Sequence, residues 1–123
     1  MRVLVVDDEE MILSIATKIL ERQGYEVVTA WSGEEGIRQC FEQSDQINLM
    51  LLDLTMPGLS GVETLRRVRQ TCPDLPCIIS SGHNADWDNI PEDLKANVHF
   101  LQNPYRADKL TELVSGILAT ETT

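Results

Sequence analysis

Apolar residues recur along this chain in two patterns, continuous runs and helical spacing, which predict alternating strands and helices. Short continuous apolar runs are typical of strands that are covered on both faces of a parallel sheet. Such runs occupy residues 3–6, 47–53, 75–82 and 98–101. The run 26–29 is shorter and more polar, which suits a strand near the edge of the sheet. The pattern therefore predicts five strands.

Between these runs, apolar residues fall at the spacing of an α-helix. Gly24 follows the first helical stretch, where glycine is favoured as a cap. Ser32 and Ser60 are each followed three residues later by a glutamate, a capping box that predicts two helix starts. The second helix is expected to bury Ile37, Cys40 and Phe41. The third is expected to bury Val62, Leu65 and Val68, with Arg66, Arg67 and Arg69 pointing outward. The last helix is expected to bury Leu110, Leu113, Val114, Ile117 and Leu118.

The polar stretch 83–97 gives the weakest helical signal. Ile90 precedes Pro91, and a residue before proline is pushed out of helical geometry. We expect a short or broken fourth helix there, restarting at Pro91 as a first-turn residue.

Alternation of strands and helices predicts an α/β protein. The natural packing is a flavodoxin-like (βα)5 fold, a doubly wound parallel sheet with helices on both faces and strand order 2-1-3-4-5. Residues 1–119 are expected to form one domain, and 120–123 a frayed C-terminal tail.

Charge and cysteine content narrow the class of protein. The 123 residues include 20 acidic and 10 basic side chains, a net charge of −10 that argues against nucleic-acid binding. Cys40, Cys72 and Cys77 show no CxxC spacing, so we expect reduced cysteines, two of them in the core. No apolar run reaches membrane length, and we expect a cytoplasmic protein without membrane contact.

Acidic and hydroxyl side chains follow the predicted strands. Asp7 and Asp8 follow strand 1, Asp53 ends strand 3, and Ser80 and Ser81 end strand 4. In a doubly wound sheet these ends share one edge, where strands 1 and 3 flank the topological switch point. Converging carboxylates shift their pKa values or recruit a cation, and oxygen ligands of this kind suit Mg²⁺. Because aspartate also acts as a nucleophile, the residues predict Mg²⁺-assisted phosphoryl transfer onto one aspartate.

Four motifs in this order resemble the receiver domain of bacterial two-component response regulators, over roughly residues 2–118. They are Val-Val-Asp7-Asp8-Glu9, Leu-Leu-Asp53-Leu-Thr-Met-Pro57-Gly-Leu-Ser-Gly61, Ser80-Ser81-Gly82 and Phe100-Leu-Gln-Asn103-Pro104-Tyr105. The residues around Asp53 and Tyr105 further resemble receivers fused C-terminal to hybrid sensor histidine kinases.

The resemblance implies a role for each matching residue. Asp53 is the implied phosphoacceptor, and its donor is a phosphohistidine of a histidine kinase or phosphotransfer domain. The implied Mg²⁺ ligands are Asp8, Asp53 and the Thr55 backbone carbonyl, with Asp7 acting through a bound water. The implied switch residues are Ser81, which hydrogen-bonds the phosphoryl group, and Phe100, which matches an aromatic position that changes rotamer.

Asn103 departs from the family pattern, which has a lysine directly before the proline. Asparagine donates a hydrogen bond but neutralises no charge. Two functions therefore stay open: a phosphorylatable receiver that catalyses at most its own aspartyl phosphorylation and dephosphorylation, and a pseudo-receiver that binds a partner with weak or no phosphorylation. A flavodoxin-type cofactor site is disfavoured, because Asp7-Asp8-Glu9-Glu10 would repel a phosphate.

Overall fold

Five parallel strands form a single sheet in a computed structural model, which describes residues 1–54, 60–82, 84–102 and 106–121, with backbone alone at 84–86, 120 and 121. In chain order the strands are β1 (Arg2–Val6), β2 (Glu26–Ala30), β3 (Ile47–Asp53), β4 (Cys77–Ser81) and β5 (Val98–Gln102). Their order across the sheet is β2-β1-β3-β4-β5. The predicted flavodoxin-like topology is confirmed, and β2 lies at an edge, as its polar character indicated.

Four α-helices lie within the described residues: α1 (Glu10–Arg22), α2 (Gly33–Glu42) and α3 (Gly61–Thr71) connect strands, and α4 (Ala107–Glu121) follows β5. Both predicted capping serines cap their helices. Ser32 Oγ accepts a hydrogen bond from the Glu35 N–H, and Ser60 Oγ accepts one from the Glu63 N–H, each at 3.1 Å. Gly24 follows α1 with φ +91°, a conformation in which glycine carries no steric penalty. None of the helices within the described ranges has the length and apolarity needed to span a bilayer.

The sheet separates two hydrophobic layers, because successive side chains of a strand point to opposite faces. Leu49 and Leu51 of β3 pack in the layer that contains α1 and α4. Met50 and Leu52 pack in the other layer, beneath α2 and α3. The central strand is thus buried on both faces, which explains its continuous apolar sequence.

The expected fourth helix is replaced by two short 3₁₀ segments, Asn84–Asn89 and Glu92–Leu94. Pro91 precedes the second segment with ψ 141°, so it lies outside that segment rather than in its first turn. The buried side chains of Ile90 and Leu94 hold this stretch against the sheet. The prediction of a broken helix is confirmed, and the expected helical restart at Pro91 is wrong.

Two other expectations about helix faces are wrong. Phe41 is 72% exposed, because it lies about 100° around α2 from the buried Cys40. Arg69 does not point into solvent: its guanidinium donates to the carbonyl oxygens of Leu75, Ala96 (3.0 Å) and Asn97 (3.3 Å). One α3 side chain therefore joins the residues that lead into β4 and β5.

The cysteines follow the prediction that two belong to the core. Cys40 and Cys77 are buried, Cys72 is half-buried, and all three are free thiols. Burial raises the pKa of Cys40 and of Cys77 to about 12, so both thiols stay protonated at neutral pH.

Candidate functional site

Three aspartates meet at the carboxyl edge of the sheet, where the strand order reverses between β1 and β3. Asp7 directly follows β1, and its N–H donates to Ala30 O at 3.0 Å. Asp53 is the last residue of β3 and pairs in register with Ser80 of β4. Asp7, Asp8 and Asp53 each place a carboxylate oxygen within 4.8 Å of the other two. We call these three residues the acidic cluster.

Burial and mutual repulsion make the acidic cluster unfavourable as three bare anions. Asp7 is only 4% exposed, and burial raises its pKa to about 6. A hydrogen bond from the Glu9 N–H (2.9 Å) opposes this rise, while the charges of Asp53 and Asp8 add to it. No lysine or arginine among the described residues offsets these charges at Asp7. The cluster thus favours a proton or a cation.

The donor set of the acidic cluster fits a hard divalent cation. Carboxylate oxygens are the ligands that Mg²⁺ prefers, and its ligands at about 2.0–2.1 Å lie roughly 3–4 Å from one another. Oxygens already within 4.8 Å of each other need only a small movement to meet that requirement. The exposed Asp8 leaves one side of the cluster open to solvent, whereas Asp7 and Asp53 are buried.

Ser81 and Phe100 lie on one face of two neighbouring strands. Ile79 pairs with Phe100 and Ser81 with Gln102, so Ser81 and Phe100 are diagonal neighbours on the α2/α3 side. Ser81 is fully buried at the end of β4, next to the strand that carries Asp53. Ser81 and Phe100 therefore share one sheet face, with Ser81 nearer the strand ends.

Trp87 covers Phe100. The two rings meet edge to face with centroids 6.3 Å apart and an interplanar angle of 64°. Lys95 Nζ lies 5.0 Å from the centroid of the Trp87 ring, a cation–π contact. The first 3₁₀ segment is thus packed on the predicted switch residue.

Two residues that the sequence assigned to the site, Thr55 and Asn103, lie outside the described residues. Their assignments stay predictions. Conversely, sequence reasoning gave no site role to Trp31, which is 65% exposed and, with Asp8, lines a groove of about 720 Å³ between α1 and β2.

Ser80 is a second residue whose position the sequence did not explain. It is 3% exposed, and its hydroxyl has no hydrogen-bond partner among the residues that the structure describes. Buried hydroxyls without a partner are uncommon, because each carries an uncompensated desolvation penalty. A pair of adjacent serines at a strand end gave a signal for hydroxyl chemistry without indicating which face each one occupies.

A buried aspartate on the central strand, an acidic cluster at the switch point and a 2-1-3-4-5 parallel sheet define a flavodoxin-like α/β domain with an acidic site. Residues 3–115 match the sequence model described as the response regulator receiver domain. The chain belongs to this family.

Individual relatives agree with this assignment. The chain superposes on a response regulator receiver domain protein from Clostridium thermocellum with a TM-score of 0.88 and 34% identity, covering 98% of this chain and 96% of that one. The receiver domain of the hybrid histidine kinase CckA gives a TM-score of 0.83 and 31% identity, covering 96% and 99%.

The transcriptional regulatory protein PhoP for alkaline phosphatase synthesis, from Bacillus subtilis, is 29% identical over 117 residues, which are 95% of this chain and 48% of PhoP. The chain thus spans about half the length of such curated relatives.

Proposed function

We propose that this domain accepts a phosphoryl group on Asp53 from the phosphohistidine of a histidine kinase or phosphotransfer domain. An Asp53 carboxylate oxygen attacks phosphorus, the new P–O bond forms an acyl phosphate, and the P–N bond breaks with its electron pair returning to the imidazole. The observation that carries the proposal is the acidic cluster, in which Asp53 ends the central strand of a receiver-family sheet.

Mg²⁺ is the cofactor that the acidic cluster fits. Asp8 and Asp53 would hold it directly, with the Thr55 carbonyl as a third ligand and Asp7 acting through water. When bound, it offsets the negative charge that gathers around the transferring phosphoryl group. The surrounding residues do the rest: burial orients Asp53 and excludes bulk water from one side of the carboxylate.

Ser81 and Phe100 couple the site to the surface. The Ser81 hydroxyl would hydrogen-bond the phosphoryl group, and its movement would free space beside Phe100 on the same sheet face. Phe100 would then change rotamer and displace Trp87. A partner reads this altered surface, either in a free-standing regulator or in a longer protein that also carries a sensor kinase. The reaction is the domain's own phosphorylation and dephosphorylation, in the cytoplasm.

A pseudo-receiver is the second candidate. Asn103 at the lysine position weakens electrostatic support for the incoming phosphoryl group, and two 3₁₀ segments stand where the sequence pattern placed a helix. In that case the domain binds its partner without needing a phosphoryl group.

The test is incubation of the full chain with phosphoramidate and Mg²⁺, followed by intact mass. The expected result is the mass gain of one phosphoryl group on wild type and none on Asp53→Ala. Asp45→Asn, an exposed carboxylate at the other end of the sheet, is the matched control and should label like wild type. An unlabelled wild type that still binds Mg²⁺ would contradict phosphoryl acceptance and favour the pseudo-receiver.

A further inference from the structure

The unpaired hydroxyl of Ser80 lies on the same sheet face as Asp53. Asp53 and Ser80 are register partners on β3 and β4, and the preceding pair, Leu52 and Ile79, packs on the opposite face. Because side chains alternate, Asp53 and Ser80 both point toward the α1/α4 layer. Register partners on adjacent strands lie about 4.8 Å apart, within reach of a hydroxyl and a carboxylate.

Among the described residues, the other neighbours of Ser80 on this face are apolar. Leu101 is its register partner on β5, and Ile78 precedes it on the same face of β4. Asp53 is therefore the polar group that register places beside the Ser80 hydroxyl. Rotation about χ1 moves a serine hydroxyl among three staggered positions, so turning it toward Asp53 requires no backbone change.

We infer that Ser80 donates a hydrogen bond to the Asp53 carboxylate oxygen that does not carry the phosphoryl group, and that it thereby shortens the lifetime of the acyl phosphate. This inference rests on the proposed function. In hydrolysis, a water oxygen bonds to phosphorus, and the P–O bond to Asp53 breaks with its electron pair left on the carboxylate. The water protons pass to the released phosphate and solvent.

The hydrogen bond strengthens as this charge returns, because a hydroxyl binds a carboxylate more strongly than a neutral carbonyl oxygen. Ser80 therefore stabilises the leaving carboxylate in the transition state more than it stabilises the acyl phosphate, which speeds hydrolysis. Without the lysine of the family pattern, this neutral donor takes on part of the role of stabilising the carboxylate.

The experiment compares wild type with Ser80→Ala and Ser80→Thr. Each full chain is labelled with phosphoramidate and Mg²⁺, freed of donor by desalting, and followed by intact mass. The half-life of the label should lengthen about fivefold to tenfold in Ser80→Ala, tenfold being the rate change for about 1.4 kcal/mol. Ser80→Thr keeps the hydroxyl and should restore the wild-type half-life.

Thermal unfolding of the unphosphorylated proteins separates a change in stability from a change in the half-life of the label. Because the Ser80 hydroxyl can donate to the unphosphorylated Asp53 carboxylate, its removal should lower the midpoint of Ser80→Ala by about 2–5 °C. Thr64 is the matched control, because its buried hydroxyl does have a partner, the Ser60 carbonyl at 2.8 Å. Thr64→Val should lower the midpoint and leave the half-life unchanged.

A label on Ser80→Ala that decays at the wild-type rate would overturn the role of Ser80 and leave the proposed function standing. An unlabelled wild type would overturn both.

Discussion

Replacing Asp7 by asparagine removes the carboxylate whose pKa is raised by burial and by the rest of the acidic cluster. The substitution keeps the size of the side chain, and Asn Oδ1 still accepts the hydrogen bond that the Glu9 N–H donates at 2.9 Å. What changes is the negative charge, which burial and the neighbouring Asp53 and Asp8 disfavour. We therefore expect Asp7→Asn to stabilise the metal-free protein at neutral pH.

The size of the effect follows from the two pKa values of Asp7, 3.8 as the ordinary value and about 6 in the folded protein. Because the folded value is higher, the unfolded chain loses this proton first as pH rises, and the folded state is penalised from about pH 4 upward. The penalty reaches its full value above pH 6, at about 3 kcal/mol. About half of it is already present at pH 5.

The measurement is urea unfolding of wild type and Asp7→Asn in EDTA at pH 5.0 and pH 7.5. Asp7→Asn should be more stable by about 1–3 kcal/mol at pH 7.5, and its advantage should shrink by about 1 kcal/mol at pH 5.0. Comparing the two proteins at each pH removes the titration of every group that the charge of Asp7 does not influence. Asp45 is exposed and distant from the cluster. The difference in unfolding free energy between Asp45→Asn and wild type should therefore be the same at both pH values. An advantage of equal size at both pH values, or none, would refute the assigned cause.

Three further predictions concern the cation, the missing lysine and the glycines. Mg²⁺ at ten times its Kd should add about 1.4 kcal/mol of stability; identical thermal midpoints in Mg²⁺ and EDTA at matched ionic strength would contradict the metal site. Asn103→Lys should speed Asp53 labelling and stabilise the metal-free protein by about 1–2 kcal/mol; no change in either would place residue 103 outside the site. Gly61→Ala should destabilise by about 1–3 kcal/mol, because its Cβ would lie 2.6 Å from Leu54 Cα. In Gly116→Ala the Cβ meets no atom within 4 Å, so the helix should gain about 0.5–1 kcal/mol; equal effects in urea unfolding would exclude the steric explanation.

Local pattern was enough to predict most of the sheet. The apolar run 47–53 matches β3 (Ile47–Asp53) in full, because a strand buried on both faces leaves a continuous apolar sequence. The serines at 32 and 60 marked two helix starts, since an N-cap is a local hydrogen bond between neighbouring residues. The meeting of Asp7, Asp8 and Asp53 followed from topology alone, because parallel strands bring their carboxyl ends to one edge.

Features that depend on contacts between distant elements could not be predicted from the sequence. Arg69 looked like a solvent-facing arginine, because the carbonyl groups of Ala96 and Asn97 that it binds are more than 25 residues away. Phe41 looked buried because an apolar residue near the border of a helical stripe gives the same signal whether covered or not. The unpaired hydroxyl of Ser80 is visible only once register and burial are known.

Arg69 ties the segments before β4 and β5 to α3. Its guanidinium fastens the segments that lead into both strands, at the end of the sheet opposite Asp53. The first 3₁₀ segment follows the other end of β4, where Trp87 meets Phe100. One end of β4 is fastened by Arg69, and the first 3₁₀ segment after its other end packs on the Phe100 ring. We therefore expect this segment to adopt two discrete arrangements in place of a continuum. A partner that reads this surface would then distinguish two shapes rather than a gradual displacement.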